Sequence, residues 1–458
     1  MTGASIQASL TASFERLGMA PADVAGRVAL AEQAVTGFEQ HHGRPPAWLY
    51  WVPGRIEIFG KHTDYAGGRS LVAAVPRGFM VAAAPRDDDR VVAYDARWNA
   101  AMRVDVGNAD LAFAGWPNYV AVVVRRLASN FQGAALGADV AFASDLPRSA
   151  GISSSSALVV GIARALVMRG QLDRRPEWLE AIQSPLDLAG YLGAVENGLT
   201  FKSLAGTSGV GTHGGSEDHT AILNCSADRV SAFAYVPVRP QGDAALPADW
   251  VFLVISSGIE AAKTGAAMAR YNAASLSTRA LVESWRASRR AAGVPSTGTM
   301  TLAGVLAQDP DSADEVRQAL RRHPSRDFDS AGLNRRLEHF IGEDARVPLA
   351  LDAIARCDRQ AIGRLARATQ DDAERLLQNQ IPETSALAAL ALESGAFASS
   401  SFGAGFGGSV WALAPASEAE EILQAWRRRY LELYPAVENV TGFLARPAPA
   451  SASLAVTW

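Results

Sequence analysis

The chain has 458 residues, 48% apolar and 20% charged, with a formal net charge of −4. That length accommodates two lobes with separate cores, and the composition excludes a disordered chain. The slight acidic excess argues against a nucleic-acid surface, because the basic clusters "WRASRR" and "WRRRY" fall in helical stretches and read as solvated faces.

In chain order, residues 7–40 carry apolar positions at helical spacing and predict one or two helices. From Trp48 to about Val106 the pattern is strand-like, with runs such as "GRIEIFG", "FMVAAA" and "RVVAYD". A helix is expected over 116–131 and a strand over 138–144. A Ser/Gly loop follows over 145–155, then a buried helix in "ALVVGIARALVMRG". A further strand is expected over 250–257, and 260–395 reads as mostly helical, with loops at "AGVPSTGT" and "RRHPSRDFDSAG". A strand at 409–415 and a last helix in "SEAEEILQAWRRRYLELY" close the pattern. Without regular βαβ alternation this predicts an α+β fold in two lobes. A helical extension is expected over 1–45, one lobe over 46–248 and the other over 249–458. The boundary rests on the Pro/Gly-rich "VPVRPQGDAALPAD".

Two cysteines, Cys225 and Cys357, are too few for a disulfide framework and fit a reducing compartment. The start "MTGASIQASLTASFERLG" does not read as a secretory signal, and no run of about 18 apolar residues occurs. The expectation is a cytoplasmic protein, monomeric or a weak homo-oligomer, with no nucleic-acid or membrane partner.

Three stretches concentrate chemistry. "GRIEIFGKHTDYAGG" (54–68) puts an arginine, a lysine, a histidine and an aspartate into one glycine-bracketed segment. "SDLPRSAGISSSSAL" runs from a small-residue loop with four serines straight into a helix. A helix start offers free N–H groups and the positive end of the peptide dipoles to an anion such as phosphate. The same residues also read as a serine-capped helix after a flexible loop. It is not a Walker loop, because no G-K-[ST] follows. "SSSFGAGFGGSVWAL" carries four glycines between 403 and 408, which suit either a nucleotide-bracing loop or a tight turn before a strand.

Taken together, "PGRIEIFGKHTDYAGG", "LPRSAGISSSSAL" and "FGAGFGGS" resemble, in order and rough spacing, the three motifs of the GHMP kinases. The first is similar to the galactokinase signature G-R-[VI]-N-[LI]-I-G-E-H-T-D-Y-N-G-G. "WPNY", "RLEHFIGE" and "IPETSAL" add smaller agreements. The resemblance implies a two-lobed kinase that transfers the γ-phosphoryl of ATP to the anomeric hydroxyl of a sugar, with ATP and Mg²⁺ as cofactors. Galactose is the default acceptor.

By motif matching, the resemblance implies Arg55 beside the sugar C1 hydroxyl and His62 and Asp64 on ring hydroxyls. "GTHGGSEDHTAILNC" resembles C-G-I-M-D-Q-x-x-S/A, which places Asp218 on the family's catalytic base and Gly215 on its glycine. Pro147, Gly151, Ser153, Ser154, Ser155, Ser156, Gly403 and Gly405 fall on the nucleotide-binding motifs. Ser155 and Glu196 match the Mg²⁺ ligands, and Tyr271 matches a sugar-contacting tyrosine. A competing constellation of His213, Glu217, Asp218 and His219 suits a transition metal by residue type, but its spacing matches no standard ligand motif.

The departures bear on the substrate. Lys61 replaces the family's glutamate, which faces the sugar's C6 hydroxyl, so a uronic acid such as galacturonate becomes a candidate acceptor. Glu57 replaces an asparagine, and Lys61 can equally pair with it. Glu196 and Asp218 are separated by about ten extra residues, which predicts a Gly-rich loop over the pocket. His219 stands where glutamine is usual, and Ser400 falls near an expected arginine. A non-catalytic sugar sensor remains an alternative, although "GISSSSAL" is full length, whereas sensors of that type have a damaged serine loop.

Overall fold

The computed structural model describes residues 3–108, 113–147, 151–260, 265–294 and 300–455. Helices α1 (Gly3–Arg16) and α2 (Pro21–His42) precede strands β1 (Trp48–Phe59), β2 (Arg69–Pro85), β3 (Arg90–Asp95) and β4 (Ala100–Asp105). Next come α3 (Trp116–Asn130), β5 (Ala138–Ser144), α4 (Ser154–Gly170), α5 (Pro176–Ala181), α6 (Pro185–Asn197) and α7 (Glu217–Asn224). A hairpin, β6 (Arg229–Ala234) and β7 (Arg239–Ala245), leads to β8 (Trp250–Ser256). A helical run follows: α8 (Gly265–Ala291), α9 (Leu302–Leu306), α10 (Ser312–Arg322), α11 (Ser330–Ala355), α12 (Arg359–Asp372) and α13 (Pro382–Glu393). The last elements are β9 (Ala398–Phe402), β10 (Ser409–Pro415), α14 (Ala419–Leu433), β11 (Gly442–Ala445) and β12 (Ala452–Ser453).

The strands form two sheets. The larger runs β12-β1-β2-β5-β3-β4, and β6 pairs with the start of β2 and carries β7 outward. The smaller runs β11-β8-β10-β9 and is antiparallel throughout. Among the described strands only β3 and β5 pair in parallel, so the fold is α+β. Both faces of the larger sheet are covered, which explains the long apolar runs of β1 and β2. Val52, Ile56 and Ile58 enter the main core with residues of α3, α4 and α6. Leu49 and Trp51 face Phe14 and Phe38 of the two N-terminal helices. That main core also takes in Trp250, Phe252 and Trp411 of the smaller sheet.

Two readings change in detail. The Pro/Gly-rich stretch on which the lobe boundary rests contains β7, whose side chains are mostly exposed and carry no apolar pattern. The serines at 399–401 belong to a buried strand, β9, rather than to the glycine turn that follows. Residues 295–299 of the expected loop "AGVPSTGT" and residues 148–150 of the serine loop lie outside the described residues. Among the described residues no helix is long and apolar enough to cross a membrane.

The turn after β1 is anchored from below by Glu343 on α11, which is fully buried. One oxygen accepts from the backbone N–H of Gly60 (2.9 Å) and Lys61 (3.2 Å). The other accepts from the Thr369 hydroxyl (2.9 Å) and Arg346 (3.0 Å). Replacing it leaves buried donors and a cation unpaired. Glu343→Ala is therefore expected to cost about 3–5 kcal/mol, read as a lowered urea midpoint. An unchanged midpoint would show that the turn holds without it.

Candidate active site

The site begins with two irregularities in the β1–β2 ladder. The register shifts between Pro53 and Arg55 and again between Glu57 and Phe59. Such bulges re-aim side chains, and here Arg55 and Glu57 leave the main core while Ile56 and Ile58 stay in it.

Arg55 ties the three stretches together. Its Nη1 donates to the Gly151 carbonyl at 2.6 Å, and its Nη2 lies 2.6 Å from Asp218 Oδ1. Its Nε is 3.5 Å from Glu217 Oε1. Burial alone would lower its proton affinity, but Asp218, Glu217 and Glu57 raise it above the ordinary arginine range, so the guanidinium stays charged. The third stretch packs on the second: Gly403 has φ +81°, and a Cβ there would sit 2.9 Å from the Gly151 carbonyl. Gly403 N–H donates to Glu57 Oε2 at 2.9 Å.

Two cavities meet at this point. A polar one is lined by Arg55, Glu57, His62, Asp64, Glu196, Gly215, Asp218 and Tyr271, with Ser156 and Gly403 on its wall. A larger one has an aromatic half, with Phe79, Trp98, Trp116, Tyr119 and Phe142. It also has a polar end made by Gly151, Ser153, Ser154 and Ser155. Arg55, Asp218 and Ala404 line both.

In the polar cavity His62 Nδ1 is 2.9 Å from the Tyr65 hydroxyl, and its ring lies 5.4 Å from that of Tyr271. Asp64 Oδ2 accepts from Glu217 N–H at 3.2 Å, and burial raises the Asp64 carboxyl above its usual range. Gly215 is required by contact: a Cβ there would lie 2.2 Å from Asp64 Oδ2 and 2.8 Å from Tyr65 N. Gly215→Ala should displace Asp64 and raise the sugar KM by about tenfold or more while the ATP KM stays put, since a 1 Å misplacement can cost about 10²-fold. Unchanged sugar kinetics would separate Gly215 from the acceptor site.

Several sequence-derived assignments shift. The ammonium of Lys61, 1% exposed, meets the Ser400 hydroxyl at 2.5 Å and lines neither cavity. Gly60 at φ +99° and His62 at φ +57° turn the chain so that Lys61 points under the cavity floor. Burial brings its proton affinity down to about 8 against the pull of Glu343 and Glu57. The hydroxyl on Glu196 belongs to Ser156 (2.8 Å), not Ser155, because one helical residue rotates the side chain by about 100° onto the other cavity. Ser156 also reaches Asp218 Oδ2 at 3.2 Å, and His219 Nε2 lies 3.0 Å from Glu196. Pro147 is buried and, like Gly405, lines neither cavity; Gly405 packs on Asn379. Among the described residues no three His, Cys, Asp or Glu side chains gather as a metal site.

Sequence reading missed Glu217, Asn197 and Thr212 as cavity walls. Asn197 Oδ1 accepts from the Thr212 hydroxyl (3.0 Å) and Gly214 N–H (2.8 Å), while its Nδ2 donates to the Gly215 carbonyl (3.1 Å). The extra Gly-rich segment is thus strapped to the end of α6, and Asn272 on α8 holds it through His213 N–H (2.8 Å) and the Gly211 carbonyl (2.9 Å). The aromatic wall was legible only as the "WPNY" agreement.

Known proteins are similar to this chain in sequence and fold. The family description "Galactokinase galactose-binding signature" matches residues 36–85, "GHMP kinases N terminal domain" matches 118–185 and "GHMP kinases C terminal" matches 350–432. A galactokinase of Glaesserella parasuis serovar 5 is 26% identical over 411 residues, covering 87% of this chain and 93% of that one. A galactokinase of Roseiflexus sp. is 29% identical over 390 residues, covering 84% and 87%. The fold is that of the Lactococcus lactis galactokinase solved with galactose, with a TM-score of 0.72 at 19% identity over 91% of this chain and 98% of that one. Mevalonate kinase of Methanococcus jannaschii overlays with a TM-score of 0.52 at 14% identity, over 88% of this chain and 98% of that one. The chain belongs to the GHMP kinase superfamily, a class of phosphotransferases, in its galactokinase-like branch. It is a sugar kinase.

Proposed function

We propose that the protein is an ATP- and Mg²⁺-dependent 1-kinase acting on galactose or a closely related hexose. The observation that carries this reading is the junction of the two cavities at Arg55 and Asp218. A nucleotide base suits the aromatic half of the larger cavity. Its phosphates would then run along Ser153–Ser155 toward the start of α4, where the buried Ser153 hydroxyl has no partner among the described residues. The sugar would occupy the polar cavity, with its reacting hydroxyl between Asp218 and the last phosphate.

Asp218 takes the hydroxyl proton in this mechanism, and Arg55 favours the charge that develops on the attacking oxygen. His62, Asp64 and Tyr271 orient the ring, so that positioning supplies much of the rate. The Glu196 carboxylate and the Ser156 hydroxyl form a hard oxygen donor pair that fits Mg²⁺, an ion that takes few protein ligands. Such an ion would neutralise phosphate charge. Lys61 turns away from the polar cavity, which removes the feature that favoured a uronate.

The division into lobes at 46–248 and 249–458, with 1–45 as an extension, is part of this proposal. It is supported by the larger sheet drawing its long strands from 48–245 and the smaller from 250–445. The cytoplasm is the expected compartment, and both cysteines are free.

The test is ADP release from ATP with a panel of free hexoses and uronic acids, and NMR location of the product phosphate. Phosphate on the anomeric oxygen of galactose or an epimer is expected. Phosphate at another carbon, or no acceptor-dependent ADP, would overturn the reading.

A further inference from the structure

Five carboxylates line the polar cavity: Glu57, Asp64, Glu196, Glu217 and Asp218. Among the described residues Arg55 is the one Lys or Arg side chain on that wall. Three of the five are accounted for. Asp64 accepts a backbone N–H at 3.2 Å, Glu196 accepts the Ser156 hydroxyl at 2.8 Å, and Asp218 holds Arg55 at 2.6 Å.

The other two differ. Glu57 is 3% exposed and spends one oxygen on Gly403 N–H, while Oε1 is buried with no hydrogen-bond partner among the described residues. Glu217, also buried, reaches Arg55 only at 3.5 Å, beyond a charge-assisted hydrogen bond. Burial opposes ionisation of Glu217 most, and Glu57 is the strongest charge that adds to it, so the two carboxylates act on one another. Arg55 is the cation that attracts both, but it also holds Asp218 at 2.6 Å, and a buried carboxylate whose counter-charge is shared in this way is costly. Lys61 also attracts Glu57, but from outside the cavity, where its ammonium meets the Ser400 hydroxyl.

A ligand that satisfies this pair supplies both a positive charge and several donors. A neutral hydroxyl gives one O–H and leaves the charge, whereas an alkylammonium gives three N–H and cancels it. We propose that the preferred acceptor is an amino hexose whose ammonium group is held by Glu57 and Glu217. This rests on the kinase reading above and names the substrate class of the same site.

The test compares galactosamine, galactose and N-acetylgalactosamine as acceptors under one set of conditions, at a pH that keeps the amine protonated. ADP release and NMR of the product are followed for the wild type, Glu57→Gln and Glu217→Gln. The expected kcat/KM for galactosamine exceeds that for galactose by about tenfold or more, equivalent to ~1.4 kcal/mol. The acetylated sugar, which has the nitrogen without the charge, should be the poorest. Each Gln variant should narrow the galactosamine-to-galactose ratio by about fivefold, mainly through KM. Equal or better use of galactose by the wild type overturns this inference and leaves the kinase reading intact. Phosphorylation of none of the three overturns both. The wild-type ratio decides even where a variant fails to fold.

Discussion

Asp218→Asn should lower kcat by about 10²–10⁴-fold, the range of a lost general base. The change is close to isosteric. An asparagine oxygen can still accept from Arg55, now 2.6 Å from Asp218, and its amide can donate to the Ser156 hydroxyl, now at 3.2 Å. The fold around α7 should therefore survive, and the loss belongs to chemistry. Asp218 lines the larger cavity only at its polar end, while the aromatic wall is built from Phe79, Trp98, Trp116, Tyr119 and Phe142. Nucleotide affinity, read by titration calorimetry or by quenching of Trp98 and Trp116, should stay within about threefold. Near-normal kcat with intact nucleotide binding would remove Asp218 from the base role. Lost kcat together with lost nucleotide binding would assign it to the phosphate site instead.

How much of this was legible in the sequence depends on whether a residue acts through its identity or through its direction. Glycines and the arginine are constrained by type: no other residue lets the loop at 403 lie on Gly151, and no other side chain bridges a carbonyl and two carboxylates. These positions could be read from spacing. Direction could not. Lys61 lies one residue from His62, yet two positive-φ residues and a bulged strand send them to opposite sides of the cavity floor. Ser155 and Ser156 are indistinguishable in "GISSSSAL", and only the helix phase assigns one to each cavity. Two departures from the family pattern, Lys61 and Ser400, are 339 positions apart and prove to be each other's partners. Strand β7 was hidden because its exposed side chains carry no alternation, and Asn197 because its role is to hold backbone groups of a loop that arrives 17 to 18 residues later.

Arg55→Lys is expected to be nearly as damaging as loss of the base, with kcat down by about 10²–10³-fold, the cost of removing one preorganised donor at a developing oxyanion. Charge is conserved in this variant, so geometry is what it removes. The guanidinium donates to the Gly151 carbonyl at 2.6 Å with one nitrogen while a second holds Asp218 at 2.6 Å and Nε faces Glu217. A lysine ammonium is a compact point charge on a flexible stem and cannot span those three directions at once. Asp218 would lose its orientation and the serine loop would lose its tether to β1. The sugar KM should rise less than kcat falls, because His62, Asp64 and Tyr271 still line the cavity. Arg55→Ala adds a second effect: the buried Glu57 and Glu217 and the part-buried Asp218 lose their counter-charge, which should destabilise the fold by about 3–5 kcal/mol. Comparing the two variants therefore separates positioning from charge balance. Because Arg55 and Asp218 are in contact, the double variant Arg55→Lys/Asp218→Asn should lose far less than the product of the single losses. Multiplicative losses would mean that the two residues serve the reaction independently, and an Arg55→Lys enzyme retaining a third or more of kcat would mean that a fixed fork of donors is not what the transfer needs.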